Sequence, residues 1–221
     1  MRVVLGLSYN GQNYQGWQSQ PSGLTVQDQL EAALARFTAQ PVSTLCAGRT
    51  DAGVHALMQV VHFDTDCQRT PYAWVRGTNA HLPRDIAVQW AVGTSTDFHC
   101  RASASSRRYA YVLLESPIRP SVEAGRVGWS FRALDYAAMR QAADLLLGEH
   151  DFSSFRAAQC QARSPVKQML AIGLNQRGAY WRFEFEANAF LHHMIRNIMG
   201  CLVQIGQGNK APEWMAEVLA A

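Results

Sequence analysis

Residues 48–55, Gly-Arg-Thr-Asp-Ala-Gly-Val-His, set an arginine, a hydroxyl and a carboxylate between two glycines. Because glycine permits tight backbone turns, such a loop can direct the carboxylate of Asp51 into a cleft, where it can act as a nucleophile or as a base. The same residues also suit an Asx turn, in which Asp51 only hydrogen bonds to its own backbone. Short motifs often match by chance, so the loop alone favours this structural interpretation by about two to one.

A second segment, RRYAY at residues 107–111, combines arginines with aromatic side chains. Strand alternation places Tyr109 and Tyr111 on one face of a sheet and Arg108 on the other. Aromatic side chains on a sheet next to arginine suit base stacking and phosphate contact in an RNA-binding protein. Tyrosines that face the core, with arginines in solvent, explain the pattern about as well.

The third segment is a helix predicted from about residue 190 to residue 205. An apolar stripe covers one side of it, and His192, His193 and Arg196 lie on the opposite side. A solvated helix face is the usual reason for such a pattern. Two adjacent histidines diverge by about 100° on a helix, unlike the i, i+4 pair of a metal-binding helix, so we predict no metal site.

Composition indicates a globular protein, with 48% apolar and 17% charged residues in a chain of 221. The net charge of +3 permits a polyanionic partner without requiring one. Two of the 20 basic residues are lysines, Lys167 and Lys210, which leaves 18 arginines. Arginine matches phosphate with a planar fork of donors and also stacks on bases, although genomic base composition can produce the same bias.

Other patterns bear on location and cofactors. Five scattered cysteines without a CxxC pair predict free thiols in a reducing compartment rather than disulfides or a zinc site. No signal peptide and no apolar stretch of about 20 residues occurs, so we expect a soluble cytoplasmic protein without a membrane partner. Neither GxGxxG nor GxxxxGKS/T occurs, so the sequence supports no nucleotide cofactor.

The order of predicted elements repeats along the chain. The first part reads β-α-β-β-α-β, with helix starts at Thr25, which has Asp28 three residues later, and at Thr70, which Pro71 follows. The second part reads β-α-β-β-α, and Asp135 begins its first helix. Both parts are typical of a split βαβ, ferredoxin-like arrangement, so we predict an α+β protein with two halves, residues 1–103 and 104–221.

Taken together, these segments resemble the tRNA pseudouridine synthase A family over nearly the whole chain. GRTDAGVHA is similar to the active-site motif of that family without a change. YNGQNYQGWQSQ resembles its N-terminal segment YDGxxYxGWQxQ, with Asn10 where aspartate is usual. The other segments follow in the family's order: GTNAHLP, FHCRASA (Cys100 where alanine is commoner), RRYAY, DFSSFR and ANAFLHHMIRNIMG.

The resemblance implies a fold and an activity. The family has a mixed, mainly antiparallel sheet built from ferredoxin-like halves flanked by helices, and it works as a homodimer without a metal or other cofactor. Its implied reaction converts uridine to pseudouridine in the anticodon stem-loop, at tRNA positions 38, 39 and 40. The family's closing strand, of the form GLYLxxVxYP, is absent here. The predicted second half also lacks its last strand, so we expect that either another element fills that edge or, preferably, that the sequence is truncated.

The resemblance also implies roles for individual residues. Asp51 acts at the sugar, by attacking C1′ or by removing the 2′ proton, and Arg196 favours its ionised form. Tyr109 acts at C5 of the uracil as a proton relay. Arg49 occupies the space that the flipped uridine leaves. Further RNA contacts are expected from five residues: Arg69, Phe98, His99, Arg101 and Arg163.

Two other classes of protein stay open from the residues alone. A catalytically silent RNA-binding module with two RRM-like halves would explain the sheet aromatics and the arginine excess. It would not explain the acidic loop, because a carboxylate facing RNA weakens phosphate binding. An N-glycoside hydrolase that uses Asp51 is the second alternative. It would release free uracil, whereas an isomerase would not.

Overall fold

The structure, a computed structural model, describes residues 1–221 and contains two units, Met1–Ala104 and Ser105–Ala221. Each unit has its own sheet and its own apolar core. Helices and strands are both abundant, and the sheets are antiparallel or mixed. The predicted α+β class is therefore confirmed. No helix of the chain is both long enough and apolar enough to cross a bilayer.

The first unit follows the predicted β-α-β-β-α-β order. Its sheet has the strand order β2-β3-β1-β4, and all of its pairs are antiparallel. The elements are β1 (Arg2–Tyr9), α1 (Val26–Thr38), β2 (Leu45–Cys46), β3 (Ala56–Asp64), α2 (Pro71–Asn79) and β4 (Ile86–Thr94).

Both helix starts predicted in this unit are confirmed. Thr25 caps α1 and accepts a hydrogen bond from the backbone N–H of Asp28, and Thr70 caps α2, whose first residue is Pro71. These caps satisfy backbone donors that a helix leaves unpaired in its first turn. Alternate residues of β1 then pack against the apolar stripe of α1, and the core that they form includes Val3, Leu5, Leu7, Val26, Leu30 and Leu34.

The second unit has a five-stranded sheet of order β6-β5-β9-β8-β7. Its elements are β5 (Arg107–Glu115), β6 (Gly128–Ser130), α3 (Tyr136–Asp144), β7 (Gly148–Asp151), β8 (Val166–Arg177), β9 (Tyr180–Ala187), α4 (Met194–Gly206) and α5 (Trp214–Ala220). Asp135 caps α3, as predicted. The apolar core of this unit lies between the sheet and the helices α3 and α4.

Two short strands of this unit, β6 and β7, were not predicted, because three or four residues show no alternating pattern. The strand β6 runs parallel to β5 and pairs with Leu113, Leu114 and Glu115. In a ferredoxin-like order the closing strand would lie at this edge of β5. The strand β6 therefore occupies part of that edge.

The predicted helix from residue 190 is corrected at its start. The helix α4 begins at Met194, and His193 precedes it with a left-handed backbone, φ 62°. His192 and His193 therefore do not lie on a helix face. The apolar pattern of the sequence extends beyond the start of α4 because Leu191 is also buried, although Leu191 lies in the preceding turn.

A buried histidine makes the stability of the first unit sensitive to pH. The Nδ1 of His62 accepts a hydrogen bond from the Cys100 N–H at 3.3 Å, so the ring is neutral in the fold. Burial lowers the pKa of His62, Arg2 and His99 lower it further, and Asp64 opposes the shift. The unfolded chain takes up a proton near pH 6.5 that the folded chain excludes. The free energy of unfolding is therefore fully retained above that pH and falls below it.

We expect His62→Asn to flatten this dependence. The Asn Oδ1 offers an acceptor near the position of Nδ1 and does not titrate. Urea unfolding between pH 7.5 and 5.5 measures the slope, which one proton limits to about 1.4 kcal/mol per pH unit. His81→Asn is the matched control, because His81 is exposed. A wild-type slope in His62→Asn would show that another group causes the dependence.

Candidate active site

Residues 47–55 join β2 to β3 in the first unit and form the Asp51 loop. Its tip is a tight turn, in which the Val54 N–H donates to the Asp51 carbonyl at 3.1 Å. Gly53 has φ 77°, the left-handed value that the third residue of a type II turn requires. Asp51 is half-buried and Arg49 is exposed. The glycine-bounded turn expected from the sequence is present.

The N-terminal segment, residues 11–17, holds this loop through backbone hydrogen bonds. The N–H of Trp17 donates to the Thr50 carbonyl at 2.9 Å, on the residue directly before Asp51. The N–H of Gly53 donates to the Tyr14 carbonyl at 3.2 Å, on the other side of Asp51. Because both bonds use backbone atoms, the segment restrains the path of the loop itself.

Two glycines permit this close approach. Gly16 has φ 93°, and a Cβ there would lie 2.8 Å from the Thr50 carbonyl oxygen. A Cβ on Gly11 would lie 2.0 Å from the Val54 carbonyl oxygen. The N–H of Gly11 also donates to His55 Nδ1 at 3.1 Å. A side chain at either glycine would push the segment away from the loop.

Residues 98–101 lie beside β2 and β3. The rings of Phe98 and His99 lie 6.4 Å and 5.0 Å from the ring of the buried His62. The Nε of Arg101 donates to the Cys46 carbonyl at 3.3 Å, where β2 runs into the Asp51 loop. The structure thus brings these three predicted RNA-contact residues to the base of that loop. Arg69 lies elsewhere in the unit, exposed and next to the start of α2.

In the second unit, Tyr109 and Tyr111 share one face of β5, and Arg108 lies on the other, as predicted. Tyr109 is half-buried and packs edge-to-face on Phe190, with 5.0 Å between ring centroids. Tyr111 packs against the apolar core. Arg108 forms an ion pair with Glu186 at 2.7 Å. The tyrosines face the core side of the sheet, so the structure gives no support to an RRM-like open face of stacking aromatics.

Arg196 lies in the first turn of α4 and is exposed. The next residue, Asn197, donates from Nδ2 to the Phe155 carbonyl at 2.9 Å. The N–H of Ala157 donates to the His192 carbonyl at 2.9 Å, so residues 155–157 brace the turn before the helix. This bracing holds the start of α4, which carries Arg196. Arg163 is exposed, in the loop between residue 155 and β8.

In each unit, the sequence did not reveal the groups that hold the candidate residues in place. Asn197 follows Arg196 and holds the start of α4 by its hydrogen bond to Phe155, and only its polar side chain pointed to this role in the sequence. Trp17 and Tyr14 hold the Asp51 loop through their backbones, which side-chain chemistry does not reveal. In the sequence, only the resemblance of the surrounding segment, YNGQNYQGWQSQ, to a family motif pointed to their importance.

Comparison with known proteins identifies the family of this chain. A family model described as tRNA pseudouridine synthase matches residues 7–101 and 142–221. Proteins named tRNA pseudouridine synthase A match the whole chain and 85% of their own length: 72% identical in Polaromonas naphthalenivorans, 69% in Albidiferax ferrireducens and 66% in Methylibium petroleiphilum.

The chain belongs to the tRNA pseudouridine synthase family. The resemblance drawn from the seven motifs is thereby confirmed, as is the prediction of an enzyme, an isomerase of this family. The family match includes the Asp51 loop, the segment that holds it and the start of α4. Residues 102–141, which contain Tyr109, lie outside the match to the family model but inside the match to the relatives.

Proposed function

We propose that this tRNA pseudouridine synthase isomerises uridine in the anticodon stem-loop, at tRNA positions 38, 39 and 40. The observation that carries the proposal is the Asp51 loop, a carboxylate on a tight turn that backbone hydrogen bonds restrain on both sides. The relatives are named tRNA pseudouridine synthase A, which supports tRNA as the substrate. Mapping pseudouridine in the product tRNA tests the positions, and formation only outside 38–40 would overturn them.

The reaction sets the requirements for the site. The N1–C1′ bond breaks, the uracil turns, and a C5–C1′ bond forms. C5 then loses its proton and N1 gains one, so the atoms and the oxidation state of the substrate balance without a co-substrate. Asp51 acts at the sugar, either by attacking C1′ or by removing the 2′ proton. A restrained loop suits this role, because a carboxylate held in an attack geometry avoids much of the entropic cost of reaction.

Tyr109 and Arg196 complete the proposed chemistry. The Tyr109 phenol relays the C5 proton, and its packing against Phe190 fixes the plane of the ring. By the family resemblance, Arg196 assists Asp51 with its positive charge. Arg196 lies at the start of α4, where the Asn197 side chain donates to the Phe155 carbonyl and holds the beginning of the helix.

The proposed RNA contacts are of two kinds. Arg49, Arg69 and Arg163 are exposed and suit contact with RNA, and Arg101 is placed at the base of the Asp51 loop. Phe98 and His99 pack on His62, which orients the segment that carries Arg101. The homodimer, the cytoplasmic location and a reaction without metal or cofactor also belong to this proposal, on the strength of the family resemblance.

Arg49→Ala is expected to lose more turnover than binding. Flipping a uridine out of its stack costs a few kcal/mol, and Arg49 compensates by filling the vacated space. One arginine contributes only about one unit of the salt slope of tRNA affinity. Single-turnover rates at saturating enzyme and filter binding against salt measure the two effects.

Arg69→Ala is the matched control, because Arg69 is also exposed but lies outside the Asp51 loop. It should weaken tRNA binding and leave the saturated rate near that of the wild type. If Arg49→Ala behaved in the same way, Arg49 would be an ordinary phosphate contact.

A further inference from the structure

A buried glutamine connects the sheet of the first unit to the beginning of the Asp51 loop. Gln59 on β3 is 6% exposed and faces the core side of the sheet, opposite Leu7 of β1. Its Nε2 donates to the Gly48 carbonyl, and its Oε1 accepts from the Gly48 N–H at 3.4 Å. Both ends of one side-chain amide therefore hold the same residue of the loop.

A buried tyrosine makes the next attachment. Tyr9, at the end of β1, is 4% exposed, and its hydroxyl lies 2.8 Å from Thr50 Oγ1. Burial raises the pKa of Tyr9, so the phenol keeps its proton across the neutral range and the hydrogen bond to Thr50 persists. Side chains of the sheet thus form hydrogen bonds with both neighbours of Arg49, Gly48 and Thr50.

The hydrogen bonds of Gln59 and Tyr9 differ from ordinary core contacts, because they hold residues next to the proposed functional residues. Gly48 and Thr50 flank Arg49, and Thr50 is covalently joined to Asp51. Loss of the Gln59 amide would leave the peptide of Gly48 without these partners, so the loop would gain freedom at its first residues. A displacement of about 1 Å in a reacting group can cost about 10² in rate.

We propose that Gln59 and Tyr9 are positioning residues, which act on the reaction by fixing the loop that carries Arg49 and Asp51. The proposal rests on the proposed catalytic role of Asp51. Gln59→Met keeps a side chain of similar length but removes both hydrogen-bonding ends. We expect it to lower kcat by about 10- to 100-fold, with KM and the Kd for tRNA within about threefold of the wild type.

Gln27 provides a matched control in the same unit. It is 8% exposed, its Nε2 donates to the Thr44 carbonyl, and its Oε1 accepts from the Ser19 N–H. It therefore makes the same kind of backbone bonds to residues outside the Asp51 loop. Gln27→Met should destabilise the fold to a comparable extent and keep kcat within about threefold of the wild type, when both variants are assayed well below their unfolding midpoints.

The test measures kcat, KM, tRNA affinity and the urea midpoint for Gln59→Met, Gln27→Met, Tyr9→Phe and Asp51→Asn. Tyr9→Phe removes one hydroxyl, so it remains informative if Gln59→Met does not fold, and we expect a several-fold loss of kcat from it. Equal loss of kcat in Gln59→Met and Gln27→Met would overturn the proposal, as would an unchanged kcat in Tyr9→Phe.

The Asp51→Asn variant separates this proposal from the catalytic role of Asp51, on which it rests. If Asp51→Asn is inactive while Gln59→Met matches its control, only the positioning role fails. If Asp51→Asn retains activity, the proposed catalytic role of Asp51 fails, and with it the reason to hold its loop in place, whatever the other variants show. A loss confined to Gln59→Met and Tyr9→Phe, at normal tRNA affinity, would support the positioning role.

Discussion

Asp51→Asn is expected to abolish pseudouridine formation and to bind tRNA at least as tightly as the wild type. The amide can neither attack C1′ nor take up the 2′ proton, and removal of a group that acts directly in the reaction costs about 10⁴-fold or more in rate. Binding should not weaken, because the substitution removes one negative charge from the proposed tRNA-binding surface. The backbone bonds to Thr50 and Gly53 do not involve the side chain, so the loop should keep its shape.

Single-turnover formation of pseudouridine and filter binding of tRNA measure these two quantities for Asp51→Asn. Asp66→Asn is the matched control, since Asp66 is an exposed aspartate of the same unit outside the loop. Asp66→Asn should bind tRNA as tightly as the wild type or slightly more tightly, and it should form pseudouridine at the wild-type rate. Substantial pseudouridine formation by Asp51→Asn would remove the carboxylate from the mechanism.

The second large effect is expected from Tyr109→Phe. The variant keeps the ring and hence the edge-to-face contact with Phe190. It also keeps most of any stacking on the base, worth about 1–3 kcal/mol. It removes the proposed relay for the C5 proton, and proton transfer by a positioned group contributes about 10² to 10⁴ in rate. The variant should therefore bind tRNA nearly normally, cleave the glycosidic bond and stall before product release.

Tyr111→Phe is the control for this experiment, because Tyr111 lies on the same face of the same strand. Its hydroxyl lies near Gly128 of β6, where an added Cβ would approach it to 2.6 Å. Tyr111→Phe should stay active, apart from any loss of stability. Tritium release from tRNA containing 5-tritiated uridine measures the C5 step directly. Normal release by Tyr109→Phe, or a loss confined to Tyr111→Phe, would show that the other tyrosine acts.

The sequence predicted the parts of the fold that depend on local chemistry. The starts of α1, α2 and α3 followed from a hydroxyl or carboxylate that caps the helix, and Thr25, Thr70 and Asp135 are the caps. The start of α4 did not follow, because its cap, His193, has a left-handed backbone and no side-chain cap bond. Periodicity reports burial, and buried Leu191 extended the pattern beyond the helix itself.

In the candidate site, too, one part could be predicted from the sequence and another could not. The Asp51 loop could be recognised only through the family resemblance, because GRTDAGVHA is similar to the active-site motif of that family, whereas the loop alone favoured an Asx turn. The groups that hold it could not, because the bonds of Trp17 to Thr50 and of Gln59 to Gly48 join residues that only the folded sheet brings together. A polar residue such as Gln59 within an apolar strand has the same sequence pattern whether it faces solvent or holds a loop.

Product analysis of tRNA labelled in its uridines distinguishes an isomerase from a hydrolase and from a silent RNA-binding protein. The wild-type chain is incubated with the tRNA, the tRNA is digested to nucleosides, and free base is separated before digestion. From the wild type we expect pseudouridine in the digest and no free uracil, and from Asp51→Asn we expect neither pseudouridine nor free uracil. Free uracil with an abasic tRNA would identify a hydrolase, and bound but unchanged uridine would identify a silent RNA-binding protein. Either result would show that the chain does not isomerise uridine in tRNA.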